Sequence, residues 1–453
     1  LDLHLTHAKA STSSLEIKAA QRTAFQRFLS NENMNHDDLL EAHFLATAQR
    51  AEEVGSVLVV HDTTLCSFEL TPGKPRKHMP TPSRKTQSFC WHPSLVLAAD
   101  GSRAPLGLVA SRPFAHLDAL DDESLAYWKS IQGVFENESH RWAASALESE
   151  AMLSGVDDVI HVMDREGDDY AGLEALFAQD LRVVVRLAHD RVLIPARKGI
   201  ARETIRDALA RATWHSTTRE VFLNARQDTN KGRKKEKEAA LPRKARHAVV
   251  SVRSTHITLL NSGHSKSSVS EKMEVNVVEV LEREPPEGEE AIRWVLLTRE
   301  DVGSEEACWQ IVDWYRARWT VEEYFKALKT GTDYLKSQQQ SAHALLNQLA
   351  LKSIVAWQLL RMRFLAREES EEPAEVFFSA TQLRVLHLSL PSVVPERPTM
   401  AQAMEGVIQM GGYVKKGRAA GWLIIGRGWD RLLRRTEGYE LAQKDLHRRL
   451  DTA

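Results

Sequence analysis

Cysteine is scarce: Cys66, Cys90 and Cys308 are the only three in 453 residues, an odd number at wide spacing. That pattern argues against a disulfide frame or a cysteine-rich zinc site, suits a reducing cytoplasm, and leaves any metal to oxygen ligands. Long apolar runs are missing too. Nothing approaches the roughly 20 residues that cross a bilayer, so a soluble protein without membrane contact is expected. Leu1-Asp2-Leu3-His4 shows neither a basic leader followed by an apolar stretch nor an initiating methionine, and reads as a chain cut upstream with no export signal. No repeat recurs at a 20 to 50 residue period, which excludes solenoids and propellers. The absence of a His-Glu-x-x-His pair and of a glycine-rich phosphate loop removes zinc proteases and nucleotide hydrolases. A formal net charge of −2 gives no whole-chain attraction to a polyanion, so any nucleic-acid contact must come from local clustering.

Clustering is present. From Arg226 to Arg253 basic residues far outnumber Asp228, Glu236 and Glu238, whereas Arg367 to Pro373 is acid-rich and reads as a solvated linker. The length predicts two or three domains. The opening fifty residues have a helical pattern, with Leu15, Ala19, Phe25, Phe28 and Leu29 at helix spacing and a break over Asn31 to Asp38. The apolar run Val57 to Val60 predicts a buried strand that ends at His61-Asp62-Thr63-Thr64. Phe89 to Ala110, broken at Asp100-Gly101, reads as a hairpin, and Asp121 to Leu153 as helix with Trp128 and Trp142. A second apolar run, Val159 to Met163, ends at Asp164-Arg165-Glu166-Gly167-Asp168 in the manner of the first. Strands follow from Leu181 to Thr298: Val183 to Val185, Val221 to Leu223, His247 to Leu260, Glu274 to Leu281 and Trp294 to Leu297. Helix returns from Glu305 to Arg363 and again after Thr381, past the proline-rich break Pro391 to Pro398. The pattern is mixed α/β with a β insertion.

Within the helical run, Asp313 to Gly331 predicts one helix with two faces. At roughly 100° per residue, Arg318, Glu322 and Lys329 fall at roughly 300°, 340° and 320° from Tyr315, while Trp314, Val321, Tyr324, Phe325 and Leu328 form a packing face. Spaced surface ion pairs would explain part of such a stripe, since Arg318 and Glu322 are four residues apart. Phenol, guanidinium, carboxylate and ammonium together also fit a phosphodiester held beside a metal. Asp62 and Asp164 each stand where a strand stops, a usual place for ligands in an α/β sheet and also for turn formers and helix caps. With Glu322 they make three carboxylates whose hard oxygens suit Mg²⁺ or Mn²⁺, and a pair of such ions serves phosphoryl transfer on DNA.

These motifs resemble those of the bacterial DDE transposases of the insertion-sequence-four family. Tyr315, Arg318, Glu322 and Lys329 match that family's tyrosine, arginine, glutamate and lysine signature in spacing, Asp62-Thr63-Thr64 matches its first aspartate motif, and Asp164 to Asp168 its second. Similarity continues through Ala24 to Leu29, Glu138 to Trp142, Gly411-Gly412-Tyr413 and Gly426 to Trp429. The resemblance implies a ribonuclease-H-like catalytic core interrupted by a β-strand insertion, with helical N-terminal and C-terminal regions. Its divisions would be a DNA-binding remnant over 1–50, core over 51–180, insertion over 181–298, core again over 299–365 and a helical dimerisation region over 366–453.

It further implies a bacterial, nucleoid-associated, cut-and-paste enzyme that nicks the 3′ strand at transposon ends, forms and resolves a hairpin, and joins the ends to target DNA as a homodimer. Asp62, Asp164 and Glu322 would be its catalytic metal ligands for Mg²⁺, with Mn²⁺ able to substitute. Tyr315, Arg318 and Lys329 would hold DNA phosphate, and Trp294 would stack on a flipped base; a core tryptophan on a strand is the equal alternative for Trp294. Trp319 and Arg186 would be secondary DNA contacts. Relatives carry a segment ahead of Leu1 that helps recognise transposon ends, so a truncated remnant that dimerises or binds DNA as an inhibitor is the competing reading. A general nuclease has less need of the phosphate clamp, and a two-carboxylate glycosidase leaves the basic run without a role.

Overall fold

The computed structural model describes residues 19–71, 73–83, 85–117, 120–132, 140–194, 201–223, 243–261, 270–413 and 419–451. In chain order the helices are α1 (Ala19–Leu29), α2 (His36–Val54), α3 (Asp122–Gln132), α4 (His140–Met152), α5 (Tyr170–Phe177), α6 (Ile205–Arg211), α7 (Glu305–Ala317), α8 (Trp319–Lys326), α9 (Ala342–Glu368), α10 (Ala380–Ser389), α11 (Met400–Met410) and α12 (Trp422–Asp451). The strands are β1 (Ser56–His61), β2 (Thr64–Glu69), β3 (Thr86–Ala98), β4 (Pro105–Phe114), β5 (Asp158–Met163), β6 (Arg182–Arg186), β7 (Val192–Ile194), β8 (Glu203–Thr204), β9 (Thr218–Leu223), β10 (Arg246–Leu260), β11 (Lys272–Leu281) and β12 (Arg293–Thr298). The chain is mixed α/β with helices toward both ends. Among the described residues no helix is long and apolar enough to cross a membrane. Leu15 and the part of the basic run over 226–242 lie outside the described residues, as do Glu138 and Ser139.

Two compact units divide the chain. The first comprises the described residues up to 132, 148–158 and those from Trp319 onward. In it β3 is the central strand, antiparallel to β1, β2 and β4, with Val60 opposite Leu95 and Cys66 opposite Phe89. Strands β1 and β3 are buried along almost their whole length, which is why they read as unbroken apolar runs rather than alternating ones. Helix α2 starts in a capping box, Asn35 accepting the Asp37 and Asp38 N–H groups and Asp38 accepting that of Asn35. It packs on β4 and on α9, a helix buried on every side, including Lys352.

Two histidines tie α2 to the sheet. His36 Nδ1 donates to Asp37 (2.8 Å), and its Nε2 meets Ser111 Oγ at 2.8 Å, an order that mimics a nucleophilic triad. Ser111 is buried, however, and already accepts the Trp91 indole N–H at 2.7 Å, so the chain of bonds is a structural tie. His43 Nε2 accepts the Leu108 backbone N–H at 3.1 Å, its ring stands edge-on to Trp357, and burial, with Arg50 nearby, pulls its pKa down to about 3. Its ordinary value in the unfolded chain is near 6.5. As pH falls below that value the unfolded state takes up the proton first, so this contribution to stability, on the order of 5 kcal/mol at most, is whole above pH ~6.5 and drains away down to pH ~3. Urea unfolding of His43→Gln should therefore depend less on pH between 7 and 4 than that of the parent; equal dependences would reject this assignment.

The second unit comprises the described residues of 140–147 and 159–318. Its sheet is mixed: β5 and β6 run parallel, with Met163 beside Val185, and β6, β12, β11, β10 and β9 continue antiparallel in that order. One face buries Leu173, Phe177, Ile205 and Leu209 from α5 and α6, and Trp142 from α4, against Val183, Ile257, Val275 and Leu297. The strands expected between Leu181 and Thr298 are at their places. Helix α6, held by a capping box at Thr204 and Asp207, and the short β7–β8 hairpin stand among them in addition to the expected strands.

The expectation of one uninterrupted helix from Asp313 to Gly331 is corrected. Helix α7 ends at Ala317, and the Arg318 N–H bonds back to Tyr315 (3.1 Å), three residues rather than four. Helix α8 then stops at Lys326 and gives way to a π-helical turn over Ala327–Gly331, where the Thr332 N–H reaches the Ala327 carbonyl, five residues back, at 3.0 Å. A constant 100° step cannot be carried through either change.

Candidate active site

In the second unit five of the nine expected site residues meet. Asp164 directly follows β5 and precedes a single 3₁₀ turn, Arg165–Gly167, to which its side chain gives no capping bond. Its Oδ2 lies 3.7 Å from Arg318 Nη1. The Arg318 guanidinium is in turn 5.9 Å from the Tyr315 ring centre, and Trp294 on β12 lies 5.9 Å from that ring at 58°. Arg186 ends β6 and donates from Nη2 to the Arg293 carbonyl at 3.3 Å. Burial lowers the Arg186 pKa, while Tyr315 and Asp164 beside it act in the opposite sense. One carboxylate therefore has two guanidiniums beside it, with a phenol next to those guanidiniums and an indole on the phenol, and guanidiniums are groups that suit an anionic oxygen.

Two expectations about faces change here. Tyr315 is 5% exposed, covered by Trp294, rather than standing on an open ionic face. Trp314, expected in the packing face, is half-buried with the Arg182 guanidinium 5.3 Å from its ring.

The first unit holds the other four. Asp62 follows β1 directly, half-buried, and its Oδ1 accepts the Thr63 N–H at 2.8 Å. Around it stand two buried histidines that no sequence motif marks out: His92 Nδ1 is 2.9 Å from Thr63 Oγ1, and His61 Nδ1 is 2.9 Å from Ser94 Oγ, with the two rings stacked 6.1 Å apart. His61 adjoins the first aspartate motif, but nothing local places His92, 31 residues further on, beside it. Glu322 sits in the first turn of α8. Its neighbour Glu323 is engaged elsewhere, accepting Lys326 at 2.6 Å and the Trp422 indole N–H at 3.1 Å. Lys329 lies in the π turn, near enough to Cys66 for its charge to oppose the burial that pushes that thiol up to about 12. Trp319 is 46% exposed, with the Lys326 ammonium 5.5 Å from its ring.

The expected metal ligands are all carboxylates, a donor type that fits a hard divalent cation. The fit extends to donor chemistry and no further: among the described residues no group of three His, Cys, Asp or Glu side chains is gathered as an ion would require. Asp168, four residues past Asp164, is buried and bonded to Arg191, a partnership with no local signal in the sequence. No family model matches the chain.

Proposed function

We propose that the protein is a cut-and-paste DNA transposase with a ribonuclease-H-like core, acting on transposon ends and target DNA as a homodimer in the bacterial cytoplasm. The observation that carries this reading is the second-unit cluster, in which an aspartate at a strand end has Arg318 and Arg186 beside it, Tyr315 next to those arginines and Trp294 packed on Tyr315. Asp62, Asp164 and Glu322 are its catalytic carboxylates and the residues that would hold Mg²⁺ or Mn²⁺. Such ions, when bound, supply activation of the attacking oxygen and charge neutralisation at the leaving one. Arg318, Tyr315 and Lys329 bind non-bridging phosphate oxygens and keep the scissile bond in line. Trp294 offers an indole face to an extruded base, and Arg186 and Trp319 add backbone contacts.

The test is incubation of purified protein, with Mg²⁺, with DNA bearing the inverted repeats that flank its reading frame. A 3′ nick followed by a hairpin, and then joining to a second duplex, supports the proposal. Binding without cleavage would favour a truncated inhibitor, and nicking without hairpins a general nuclease.

The basic run has two parts with different expected behaviour. Arg246 pairs with Glu282 and Arg253 with Glu279, so these arginines serve the sheet. Replacing Lys231, Arg233, Lys234, Lys235 and Lys237 by glutamine should flatten the salt dependence of DNA binding, the log–log slope falling by roughly 0.9 for every phosphate that is no longer neutralised. An unchanged slope would remove this segment from the DNA interface.

A further inference from the structure

Asp168 has no part in the chemistry proposed above, yet its side chain is fully buried, a costly place for a carboxylate. Three of its bonds run to one place. Oδ2 accepts the Ala188 backbone N–H at 2.8 Å, Oδ1 accepts Arg191 Nη2, and the same guanidinium also donates to the Asp168 carbonyl at 2.7 Å. Ala188 and Arg191 lie in the segment just after β6, two and five residues past Arg186. Asp168 itself comes four residues after Asp164, past the single 3₁₀ turn.

Strands β5 and β6 are parallel neighbours, so Asp164 and Arg186 leave the sheet side by side at the same end. Parallel strand ends have no hairpin to hold them together, and although the Leu187 N–H bonds to the Val295 carbonyl at 2.9 Å and the Ile205 N–H to the Arg191 carbonyl at 3.1 Å, neither bond reaches the turn that follows Asp164. The Asp168 carboxylate supplies such bonds between the two exits.

We propose that Asp168 is a positioning residue that fixes Arg186 relative to Asp164 by clamping the segment 187–191 to the turn 165–168. The relevance to catalysis rests on the transposase reading; the clamp itself does not. Displacing a phosphate-binding guanidinium by about 1 Å costs on the order of a hundredfold in rate, so the clamp governs turnover rather than affinity. Asparagine keeps the size but has one acceptor oxygen where two are used, and alanine has none.

Asp168→Ala and Asp168→Asn are compared with the parent in three measurements. Amide hydrogen exchange, read on peptides spanning 186–192, should be faster by at least about tenfold in Asp168→Ala and by less in Asp168→Asn, with strands β10 and β11 unchanged. Single-turnover cleavage of a transposon-end duplex should fall by roughly tenfold to a hundredfold in Asp168→Ala and recover partly in Asp168→Asn. Equilibrium binding of that duplex should stay within about twofold. A merely structural role would lower binding and cleavage together and would not be rescued by asparagine.

Exchange over 186–192 equal to the parent's in a folded Asp168→Ala overturns the proposal. Should Asp168→Ala not fold, Asp168→Asn decides by the same exchange reading. If the parent itself cuts no DNA, the transposase reading fails, while the exchange data still decide whether Asp168 clamps the two strand exits.

Discussion

Glu322→Gln is expected to abolish strand cleavage, by at least roughly 10³-fold, which is about 4 kcal/mol of barrier, while DNA binding stays within about twofold. The substitution keeps shape and hydrogen-bonding capacity and removes the charge that makes the side chain a ligand for a hard cation. Its neighbour supplies an internal control. Burial works to raise the Glu323 pKa, but the Lys326 ammonium, the Trp422 indole and Arg363 outweigh it and hold that carboxyl below its ordinary value. Glu323→Gln should therefore cost stability, most visibly above the carboxylate range where the charge is present, and should leave cleavage within a few fold at temperatures where the protein is folded. Two adjacent glutamates on one short helix thus predict opposite phenotypes. Equal losses of cleavage in both variants would show that Glu322 acts through helix stability and would sink its assignment as a ligand.

The parts of the site that are legible in the sequence are those written in consecutive residues. A strand buried on both faces must be apolar throughout, so Val57 to Val60 and Val159 to Met163 stand out, and the first acid after each marks a strand end. Asp62 and Asp164 can be placed on that ground alone. The helical residues are harder. Apolar spacing persists through Val312, Tyr315, Val321, Tyr324 and Leu328, and arginine is a good helix former, so nothing local announces the turn at Arg318. The π turn is likewise a matter of packing: a Cβ on Gly331 would stand 3.0 Å from Leu359 Cδ1 on α9. Spacing puts Tyr315 on the polar stripe and does not show its burial, because its cover, Trp294, comes from a strand 21 residues upstream. The Asp168–Arg191 pair spans 23 residues and follows no period, and such pairs become visible only when two strand exits are seen side by side.

Gly428→Ala should lower stability sharply, by about 2–4 kcal/mol, although alanine is the better helix former by about 1 kcal/mol. A Cβ at this position would lie 1.8 Å from the Val407 carbonyl oxygen and 2.8 Å from its carbon, both backbone atoms of α11 that no rotamer change can withdraw. The approach is reciprocal, since a Cβ on Gly411 would lie 2.3 Å from the Ile424 carbonyl oxygen of α12. The two helices therefore cross in backbone contact at this pair of glycines, and Arg431 fastens the crossing by donating to the Met410 carbonyl. Relief requires the helices to part, which loosens Val407, Met410, Trp429 and Leu432, all buried. Interiors are too closely packed to absorb such a shift without weakening the dispersion attraction between them. Gly438, on the same helix but with no atom within 4 Å of its would-be Cβ, isolates the propensity effect. Gly438→Ala should be neutral or stabilising by up to about 1 kcal/mol. Thermal melts of the two variants should then separate by roughly 5–10 °C, Gly428→Ala lying below the parent and Gly438→Ala at or slightly above it. A Gly428→Ala protein as stable as Gly438→Ala would mean that α11 and α12 do not meet through their backbones.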